Sequence, residues 1–584
     1  MDMVNVTIDG KNVMVAAGST ILEAAQKLKI HIPTLCYLDL HDLKMINKVA
    51  SCRICVVELE GLGRMVPSCA TPVAPGMSIT TNSKRVLKAR RKILELLLSD
   101  HPYDCLSCYK STNCDLQKLA NDFDIMKPSY RGKMSEYPMD TSSGAIQRDL
   151  DKCIMCRRCE TMCNDVQTVG VLSGNGRGFE AVVGPAEMKP LSESICVYCG
   201  QCVSVCPTAA LIGIGYRKEV WDAIFDDTKT VIVQTAPAIR AAIGEEFGLE
   251  PGVPMTGKLA AGLRKLGFDV IFDTNFGADL TIMEESHELI QRVTNGENLP
   301  LLTSCCPGWI NFLEYQFPNL LNIPSSCKSP QQMTGTMIKT YYAEKMGIDP
   351  KNIVNVSVMP CLAKKYEANR PEHCTDGLRD VDYAITTREL AKMFKEAGID
   401  FSDLDDEQFD NPLGESTGAA DIFGASGGVL EAALRTAYES VTGNTLDDVN
   451  FESVRGMEGI KETTIDLGGT ALNVAVTSGL GNARKVLEKI EAGESKYHAI
   501  EIMACPGGCI NGGGQPFIHG DYSRIERRMQ SLYAEDKSKK LRKSHDNPSI
   551  QKIYDEYLGE PGSHKAHELL HTGYFAQKEY PGQE

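Results

Sequence analysis

Two cysteines separated by three residues stand in a loop that is rich in glycine. The segment Cys505–Gln515 reads CPGGCINGGGQ and follows the apolar run His498–Met503. Glycine lets the backbone turn tightly and lets a bulky ligand approach the main chain. Two further thiols stand in other segments, Cys306 in the run TSCCPGW and Cys361 in the run MPCLAKK. Four such thiolates could hold a [4Fe–4S] cluster deep inside the fold.

The cysteine content is higher than scattered buried thiols would explain. The chain has 22 cysteines in 584 residues, and most of them stand in C-x-x-C groups. The first fifteen residues, MDMVNVTIDGKNVMV, lack a basic region followed by an apolar one, and we find no run long enough to span a bilayer. We therefore expect a cytoplasmic protein whose cysteines ligate metal rather than form disulfides.

Charge and length restrict the partners and the architecture. Acidic residues outnumber basic ones by 77 to 61, which gives a formal net charge of −16. This balance argues against nucleic acid and anionic membranes as partners. A chain of 584 residues is too long for one core, so we expect several domains.

The first module, residues 1–80, combines a hairpin, a helix and four cysteines. Strands are predicted at Val4–Ile8 and Asn12–Val15 around an Asp-Gly turn, and a capping box beginning at Thr20 opens a helix over Ile21–Leu28. The cysteines are Cys36, Cys52, Cys55 and Cys69. Their spacing departs from the plant-type pattern and is similar to that of the [2Fe–2S] domain in the large iron–sulfur subunit of respiratory NADH dehydrogenase. We expect a β-grasp ferredoxin domain, and the strand–helix context disfavours the alternative of a zinc ribbon.

The second module, residues 81–130, begins with a predicted helix over Ser83–Ser99 that has an apolar stripe and a basic face. After it come one histidine and three cysteines, His101, Cys105, Cys108 and Cys114. The pattern resembles the [4Fe–4S] site with one histidine and three cysteine ligands in the same NADH dehydrogenase subunit. We interpret the basic face of this helix as a surface exposed to solvent. The alternative is that it docks an acidic electron-carrier protein.

The third module, residues 131–215, contains an internal repeat. Its two quartets are Cys153, Cys156, Cys159, Cys163 and Cys196, Cys199, Cys202, Cys206. This is the signature of a two-cluster bacterial ferredoxin, in which the fourth cysteine of each quartet ligates the other [4Fe–4S] cluster. The long gap between the quartets, Asn164–Ile195, suggests an inserted glycine-rich hairpin at Gly174–Gly178.

From about Lys218 the pattern changes to α/β. Short apolar runs that precede helical stretches predict strands at Val231–Gln234, Val270–Asp273, Leu301–Thr303, Val354–Met359, Val474–Thr477 and Ile500–Met503. The three cysteine motifs described first each follow such a run. Because ligands in open α/β sheets bind beyond the carboxyl ends of the strands, these loops could converge on one site.

At these motifs the chain resembles the iron-only, or [FeFe], hydrogenases of the monomeric clostridial type. The matching segments are TSCCPGW, MPCLAKKYE and EIMACPGGCINGGGQP, and the resemblance extends over about residues 1–575. It implies a multidomain α+β and α/β protein with a two-lobed α/β catalytic domain over residues 216–516. A helical segment like the family's small subunit would follow over residues 517–584.

The resemblance also implies a cofactor and its residues. The family's H-cluster joins a [4Fe–4S] cubane to a two-iron unit that carries CO, cyanide and a bridging azadithiolate. The cubane ligands would be Cys306, Cys361, Cys505 and Cys509, with the Cys509 sulfur bridging to the two-iron unit. Met359 and Met503 would pack against that unit, and Phe423 would line its pocket. Its cyanide groups would be bound by Lys364 and by the Ala236–Pro237 backbone.

Hydrogen chemistry requires a proton donor, and a thiol beside the cubane could serve. In the family the proton relay would run from Cys305 through a water to Glu285, Ser325, Glu288 and Arg292. A simpler alternative for Cys305 is that it is a small buried hydrophobic residue. The two glutamates and Arg292 share one helical face, so the alternative for them is an exposed, charged face of a helix.

The implied function is the reversible reduction of protons to H₂. Electrons would come from ferredoxin or flavodoxin, and hydrogenase maturation proteins would assemble the cofactor. The alternatives are an electron-transfer subunit of an NADH-linked complex and a non-catalytic iron–sulfur assembly or sensor relative.

Several motifs remain outside this function. The glycine-rich run Phe423–Val429 lacks the lysine of a phosphate loop, so we interpret it as a close-packing turn. Three histidines near the carboxyl terminus suggest either a zinc site or packing against the core, and we favour packing; they are His564, His567 and His571. Cys327 and Cys374 have no predicted role.

Overall fold

Alternating apolar residues near the amino terminus pair into a mixed five-stranded sheet. The computed structural model describes residues 2–45, 47, 50–61, 63–130 and 133–578. The strand order is Lys11–Ala16, Met3–Ile8, Ser78–Thr80, Val56–Leu59, Met65–Pro67. Only the pairing of Met3–Ile8 with Ser78–Thr80 is parallel in this sheet. The predicted hairpin is confirmed to within one residue at each end.

The first helix confirms the predicted capping box. It spans Ile21–Lys27; Thr20 Oγ1 accepts from the Glu23 backbone N–H, and the Glu23 carboxylate accepts from the Thr20 N–H. Two orphan donors at the helix start are satisfied in this way. The next helix, Lys84–Ser99, begins after Ser83, whose side chain caps it, as its sequence predicts.

Short elements hold the cysteine loops of the middle region. Helices span Asp115–Asp122, Arg158–Thr161 and Gln201–Val205. Two antiparallel pairs are formed by Ile146–Arg148 with Leu211–Gly213, and by Ser173–Asn175 with Val182–Gly184. The second pair is the hairpin that the glycine-rich insertion predicts, and it extends further than Gly178. The module boundaries at residues 80, 130, 215 and 516 remain a prediction, and residues 1, 131 and 579–584 lie outside the described part of the chain.

Two four-stranded sheets form the frame of the α/β region. The first is all parallel, in the order Val270–Asp273, Thr230–Thr235, Ile353–Met359, Tyr383–Thr386. The second has the order Leu301–Leu302, Ala499–Met503, Thr470–Ser478, Ile460–Leu467, and only its last pair is antiparallel. All six predicted strands are present. Sequence analysis missed Tyr383–Thr386 and Ile460–Leu467.

Helices cover these sheets and carry the polar residues of the site. In the α/β region they span Arg217–Ile224, Pro237–Arg240, Thr256–Leu266, Thr274–Asn295, Pro307–Gln316, Pro330–Met337, Ala343–Met346, Ala363–Glu367, Thr387–Glu396, Gly418–Asp421, Gly428–Thr442 and Leu480–Glu491. The carboxyl-terminal helices span Ser523–Ser538, Pro548–Ile553 and His564–Leu570. Among the residues that the structure describes, no helix is both long and apolar enough to cross a bilayer.

The glycine-rich run before helix Gly428–Thr442 is a close-packing turn, as its sequence predicts. The Glu501 carboxylate occupies the start of the helix, where it accepts from the Gly427 N–H at 2.6 Å and from the Leu430 N–H at 2.9 Å. A carboxylate of the chain therefore stands where a phosphate loop would bind its anion. A Cβ at Gly428 would lie 1.8 Å from the Ile422 carbonyl oxygen.

Gly428→Ala should destabilise the protein, because the new methyl group would overlap a backbone oxygen that cannot move freely. We expect a loss of about 2–3 kcal/mol, in the range of overpacked cores. Gly443→Ala is the control: Gly443 has φ +65° and open space around its Cα, so it should lose only about 1 kcal/mol from backbone strain. Thermal denaturation compares the two variants, and equal losses would contradict the overlap.

Candidate active site

A cavity lies where the carboxyl ends of strands from both sheets meet. The space around it that protein atoms do not fill is about 740 Å³, part of which is open to solvent. Met359 and Met503 are the last residues of their strands, and Ala236 directly follows a third. The predicted site residues that line it are Ala236, Pro237, Cys305, Cys306, Met359, Cys361, Lys364, Phe423, Met503, Cys505 and Cys509. The structure thus brings together all predicted residues of the cubane and of the two-iron pocket; below, this space is called the thiol cavity.

The thiols of this cavity lie close enough to affect one another. Burial raises the pKa of Cys361 to about 12, and the neighbouring Cys306 adds to the shift. Burial also raises the pKa of Cys505 well above its usual range, with further contributions from Cys361 and Cys306. Four adjacent thiols with nothing to balance their charge stay protonated, whereas bound iron would favour the thiolates. The donor set therefore fits an iron–sulfur cluster.

Glycines of the CPGGCINGGGQ loop let the backbone close around this space. Gly508 has φ +104°, and a Cβ there would lie 2.6 Å from the Ser426 nitrogen. A Cβ at Gly512 would lie 2.2 Å from the Pro360 carbonyl oxygen. Larger residues would push the cysteine loop away from its neighbours, so the glycines are needed to place Cys505 and Cys509.

Lys364 contributes a positive charge to the wall of the thiol cavity. Its Nζ is 2.8 Å from Glu367 Oε2, and both side chains are buried. Burial alone would lower the pKa of Lys364, but the Glu367 carboxylate outweighs it and raises the pKa. Gln331 Nε2 donates to the same Glu367 oxygen at 2.9 Å and fixes the pair. A permanent cation at this place can anchor an anionic ligand group.

The predicted proton relay leads from the thiol cavity along helix Thr274–Asn295. Ser325 Oγ donates to Glu288 Oε2 at 3.2 Å, and the Ser325 side chain lowers the pKa of the nearby Glu285 against the effect of burial. Arg292 donates to the Glu288 carboxylate and to the Ile323 and Pro324 carbonyl oxygens. Glu285 is buried, whereas Glu288 and Arg292 are partly exposed. The structure therefore brings these four residues together in the predicted order, from interior to surface.

Glu285 is the relay residue whose acidity the protein changes most clearly. Burial raises the pKa of Glu285 to about 8, and repulsion from the Glu288 carboxylate adds to the effect. At neutral pH its carboxyl group therefore carries a proton. Burial also raises the pKa of the Cys305 thiol well above its usual range, with Cys509, Cys306 and Glu285 adding to it.

The four cysteines of the amino-terminal sheet domain form one group. Hydrogen bonds from Cys52 and Cys69 lower the pKa of Cys36, and a hydrogen bond from Cys69 lowers the pKa of Cys55. All four side chains are buried. This geometry suits a compact cluster, since each sulfur already faces another.

The two cysteine quartets exchange their fourth members. Burial raises the pKa of Cys159, and Cys156, Cys206 and Cys153 add to it. In the other group burial raises the pKa of Cys202, with Cys199, Cys196, Cys163 and Cys206 adding to it. Cys206 thus lies with the first three cysteines of the other quartet, and Cys163 does the same in reverse. Cys199 also lies near enough to Cys361 to raise its own pKa, so the second group adjoins the thiol cavity.

His101 has an unusual environment for a loop histidine. Burial lowers the pKa of His101 to about 4. Its Nδ1 atom is buried without a hydrogen-bond partner among the described residues. A neutral imidazole with a buried, unpaired nitrogen fits the role of a metal ligand. Cys105, Cys108 and Cys114 follow His101 along the chain, before helix Asp115–Asp122. Their joint ligation of a cluster with His101 remains a prediction.

Sequence analysis missed several residues around Glu288. Ser326 donates to it, and His571 lies against Ser326. No sequence signal relates His571 to a helix almost three hundred residues earlier. The carboxyl-terminal helix packs on a buried core through Ala566, Leu569 and Leu570. Of the three histidines predicted to pack there, His564 and His567 are exposed and His571 is partly buried, so the packing prediction is wrong for the first two. Cys327 is buried with its sulfur 4.0 Å from Glu288 Oε2, and Cys374 is exposed.

Glu285→Gln should remove one protonated carboxyl group at neutral pH. Infrared spectra of the wild type minus this variant should contain a carboxylic C=O band that disappears as pH rises through about 8. In a Glu288→Gln background the band should disappear at lower pH, because one repelling negative charge is gone. A difference spectrum with only carboxylate bands at neutral pH would contradict the raised pKa.

Comparison with known proteins is consistent along the whole chain. Residues 1–84 match the family model of a 2Fe-2S iron–sulfur cluster binding domain, and residues 90–129 match the NADH-ubiquinone oxidoreductase-G iron–sulfur binding region. Residues 152–210 match a 4Fe-4S dicluster domain. Residues 229–513 match the C-terminal domain of the iron only hydrogenase large subunit, and residues 522–577 match the iron hydrogenase small subunit.

Individual relatives agree with these matches. The chain is 58% identical to the NADP-reducing hydrogenase subunit HndD of Solidesulfovibrio fructosivorans over 99% of its length and 100% of the relative. It is 42% identical to iron hydrogenase 1 of Clostridium pasteurianum over 98% of its length and 100% of the relative. A solved structure of a variant [FeFe]-hydrogenase HydA1 from Chlamydomonas reinhardtii covers 62% of this chain and 99% of its own, with 48% identity and a TM-score of 0.57. The chain therefore belongs to the iron-only hydrogenase family and carries [2Fe–2S] and [4Fe–4S] domains ahead of the hydrogenase domain.

Proposed function

We propose that the protein catalyses the reversible reduction of protons to H₂. The observation that carries this proposal is the thiol cavity, which joins the four cysteines predicted to hold the cubane, the buried Lys364 and Cys305, the first residue of the predicted proton relay. The ligands of the cubane would be Cys306, Cys361, Cys505 and Cys509. When bound, the H-cluster supplies the metal chemistry that combines protons and electrons. Met359, Met503 and Phe423 would exclude water beside it, and the cavity would lie between two lobes of residues 216–516.

The chain's own residues would supply the protons. Cys305 lines the thiol cavity and interacts with Glu285, which holds a proton at neutral pH. Ser325 would pass protons between Glu285 and Glu288, because its hydroxyl faces both carboxylates. Arg292 would hold Glu288 at the outer end of the proton relay.

Electrons would reach the thiol cavity through four accessory clusters. We propose one [2Fe–2S] cluster in the β-grasp domain, one [4Fe–4S] cluster with His101 as a ligand, and two in the ferredoxin-like domain. The electrostatic contact between Cys199 and Cys361 supports the last step, from the ferredoxin-like domain to the H-cluster. The domain boundaries are those proposed from the sequence.

The electron donor has two candidates. A ferredoxin or flavodoxin could reduce an outer cluster directly. One relative is named as a subunit of an NADP-reducing hydrogenase, which favours a partner subunit that exchanges electrons with the nucleotide. Hydrogen evolution by the matured chain alone, with reduced ferredoxin, flavodoxin or NADPH in separate assays, distinguishes the two. We propose a cytoplasmic location and assembly by maturation proteins.

Cys305→Ala should separate cofactor binding from catalysis. The variant, matured with its assembly factors, should keep the infrared bands of bound CO and cyanide. Its rate of hydrogen evolution from a reduced dye should fall about 100-fold or more, because the proton donor at the cavity is lost.

The exposed Cys374 provides the control for this experiment, and Cys374→Ala should match the wild type in both measurements. A wild type without these bands and without hydrogen evolution would instead favour an electron-transfer subunit or an assembly relative. A fully active Cys305→Ala variant would contradict the proposed relay.

The proposed exchange of the fourth cysteine between the two quartets leads to a second prediction. Cys206→Ala should lose the cluster of Cys153, Cys156 and Cys159, and Cys163→Ala should lose the other cluster. Only the second loss removes the cluster beside Cys361, so electron paramagnetic resonance should lose the magnetic coupling to the H-cluster cubane in Cys163→Ala alone. The opposite assignment would show that each quartet holds its own cluster.

A further inference from the structure

Glu288, the outer carboxylate of the proposed proton relay, contacts Arg292 and also a second set of hydrogen-bonded polar residues. Ser326 Oγ donates to Glu288 Oε2 at 3.1 Å. Ser326 Oγ also lies 2.7 Å from His571 Nδ1. On the other side of the ring, His571 Nε2 lies 3.1 Å from Glu284 Oε2. Tyr554 donates to the other oxygen of Glu284. We call Ser326, His571, Glu284 and Tyr554 the His571 branch.

Backbone pairing holds this branch in place. The Lys328 N–H donates to the Leu570 carbonyl oxygen, and the Thr572 N–H donates to the Ser326 carbonyl oxygen, both at 2.7 Å. These two bonds form an antiparallel bridge between Cys327 and His571. The imidazole therefore cannot move away from Ser326 without breaking main-chain hydrogen bonds.

The donors and acceptors of the branch require a proton between His571 and Glu284. When the Ser326 hydroxyl donates to Glu288, the His571 tautomer that completes the contact is the one that donates from Nδ1 to Ser326 Oγ. The Gly562 N–H and the Tyr554 hydroxyl already donate to Glu284. A neutral ring with its proton on Nδ1 would present a lone pair to an ionised carboxylate at 3.1 Å, which is repulsive. One proton must therefore lie between His571 Nε2 and Glu284 Oε2.

We propose that the His571 branch is a second proton inlet of the relay, parallel to the one at Arg292; this inference rests on the proposed function. His571 donates the Nδ1 proton to Ser326 Oγ as Ser326 donates its own proton to Glu288, and Nε2 takes up the proton shared with Glu284. The outer end reaches water: the His571 side chain keeps 7% exposure, and its ring stacks at 4.6 Å on the exposed His567.

A metal site is the other use for these residues, and the contacts disfavour it. One ligand atom each of Glu288, Cys327 and His571 lies within 4.8 Å of the others, and zinc accepts all three types. Both ring nitrogens of His571 are already hydrogen-bonded, however, and burial raises the pKa of Cys327 well above its usual range. A bound cation would also stand beside the Arg292 guanidinium, which contacts Glu288.

The test compares Arg292→Gln, His571→Gln and the double variant in the matured full-length protein. Two parallel inlets add their rates, so each single variant should keep the other inlet and lose less than about tenfold in hydrogen evolution. The double variant should lose about 100-fold or more, which exceeds the product of the single losses. Its solvent deuterium isotope effect should rise, because proton supply then limits the rate.

Two controls make each result interpretable. Infrared bands of CO and cyanide show whether every variant retains its cofactor. His564→Gln, at an exposed position of helix His564–Leu570, which ends just before His571, should match the wild type. Losses in the double variant that equal or fall below the product of the single losses would overturn the second inlet and leave His571 as a positioning residue. An inactive wild type would overturn the proposed function, and this inference with it.

Discussion

Sulfur atoms cannot all be charged together in a buried cavity unless a cation compensates them. At a separation of about 4 Å and an effective dielectric constant of about 20, each pair of unit charges repels by about 4 kcal/mol. Cys306, Cys361 and Cys505 line the same buried cavity, and burial raises the pKa of each. Strands of two sheets fix their loops from outside the cavity. Ionisation of these thiols therefore requires a compensating cation, which bound iron would supply.

The same constraint separates structural carboxylates from those that can carry protons. Some buried acids elsewhere are paired with arginine: Arg240 lies 2.7 Å from Asp273 and 3.2 Å from Asp421. Glu285 has no salt bridge within the described part of the chain, and burial raises its pKa to about 8. A buried carboxyl group without a cationic partner keeps its proton near neutral pH. This lack of compensation makes Glu285 suitable for proton exchange, whereas Asp273 is suited to holding helices together.

Much of the fold and of the cavity could be predicted from the sequence, because short-range patterns specify them. Apolar runs predicted six strands, and the motifs that follow them supply the cavity residues. Strand Ile460–Leu467 was missed because one of its faces is exposed and its residues are mostly polar. Contacts such as Ser326 with His571 join residues far apart in the chain, and neither spacing nor periodicity carries that information.

The carboxyl-terminal segment shows what such contacts between distant residues can contribute to the proposed mechanism. Tyr574 donates to the Ser325 carbonyl oxygen at 2.6 Å, and burial raises the pKa of its phenol. Together with the bridge at His571, this contact covers Ser325 and Cys327 and excludes bulk water from the middle of the proton relay. Water between Glu285 and Glu288 would weaken the repulsion that helps to keep Glu285 protonated. The segment that the family model describes as a hydrogenase small subunit therefore packs around the residues of the proposed proton relay, even though none of its described residues lines the thiol cavity.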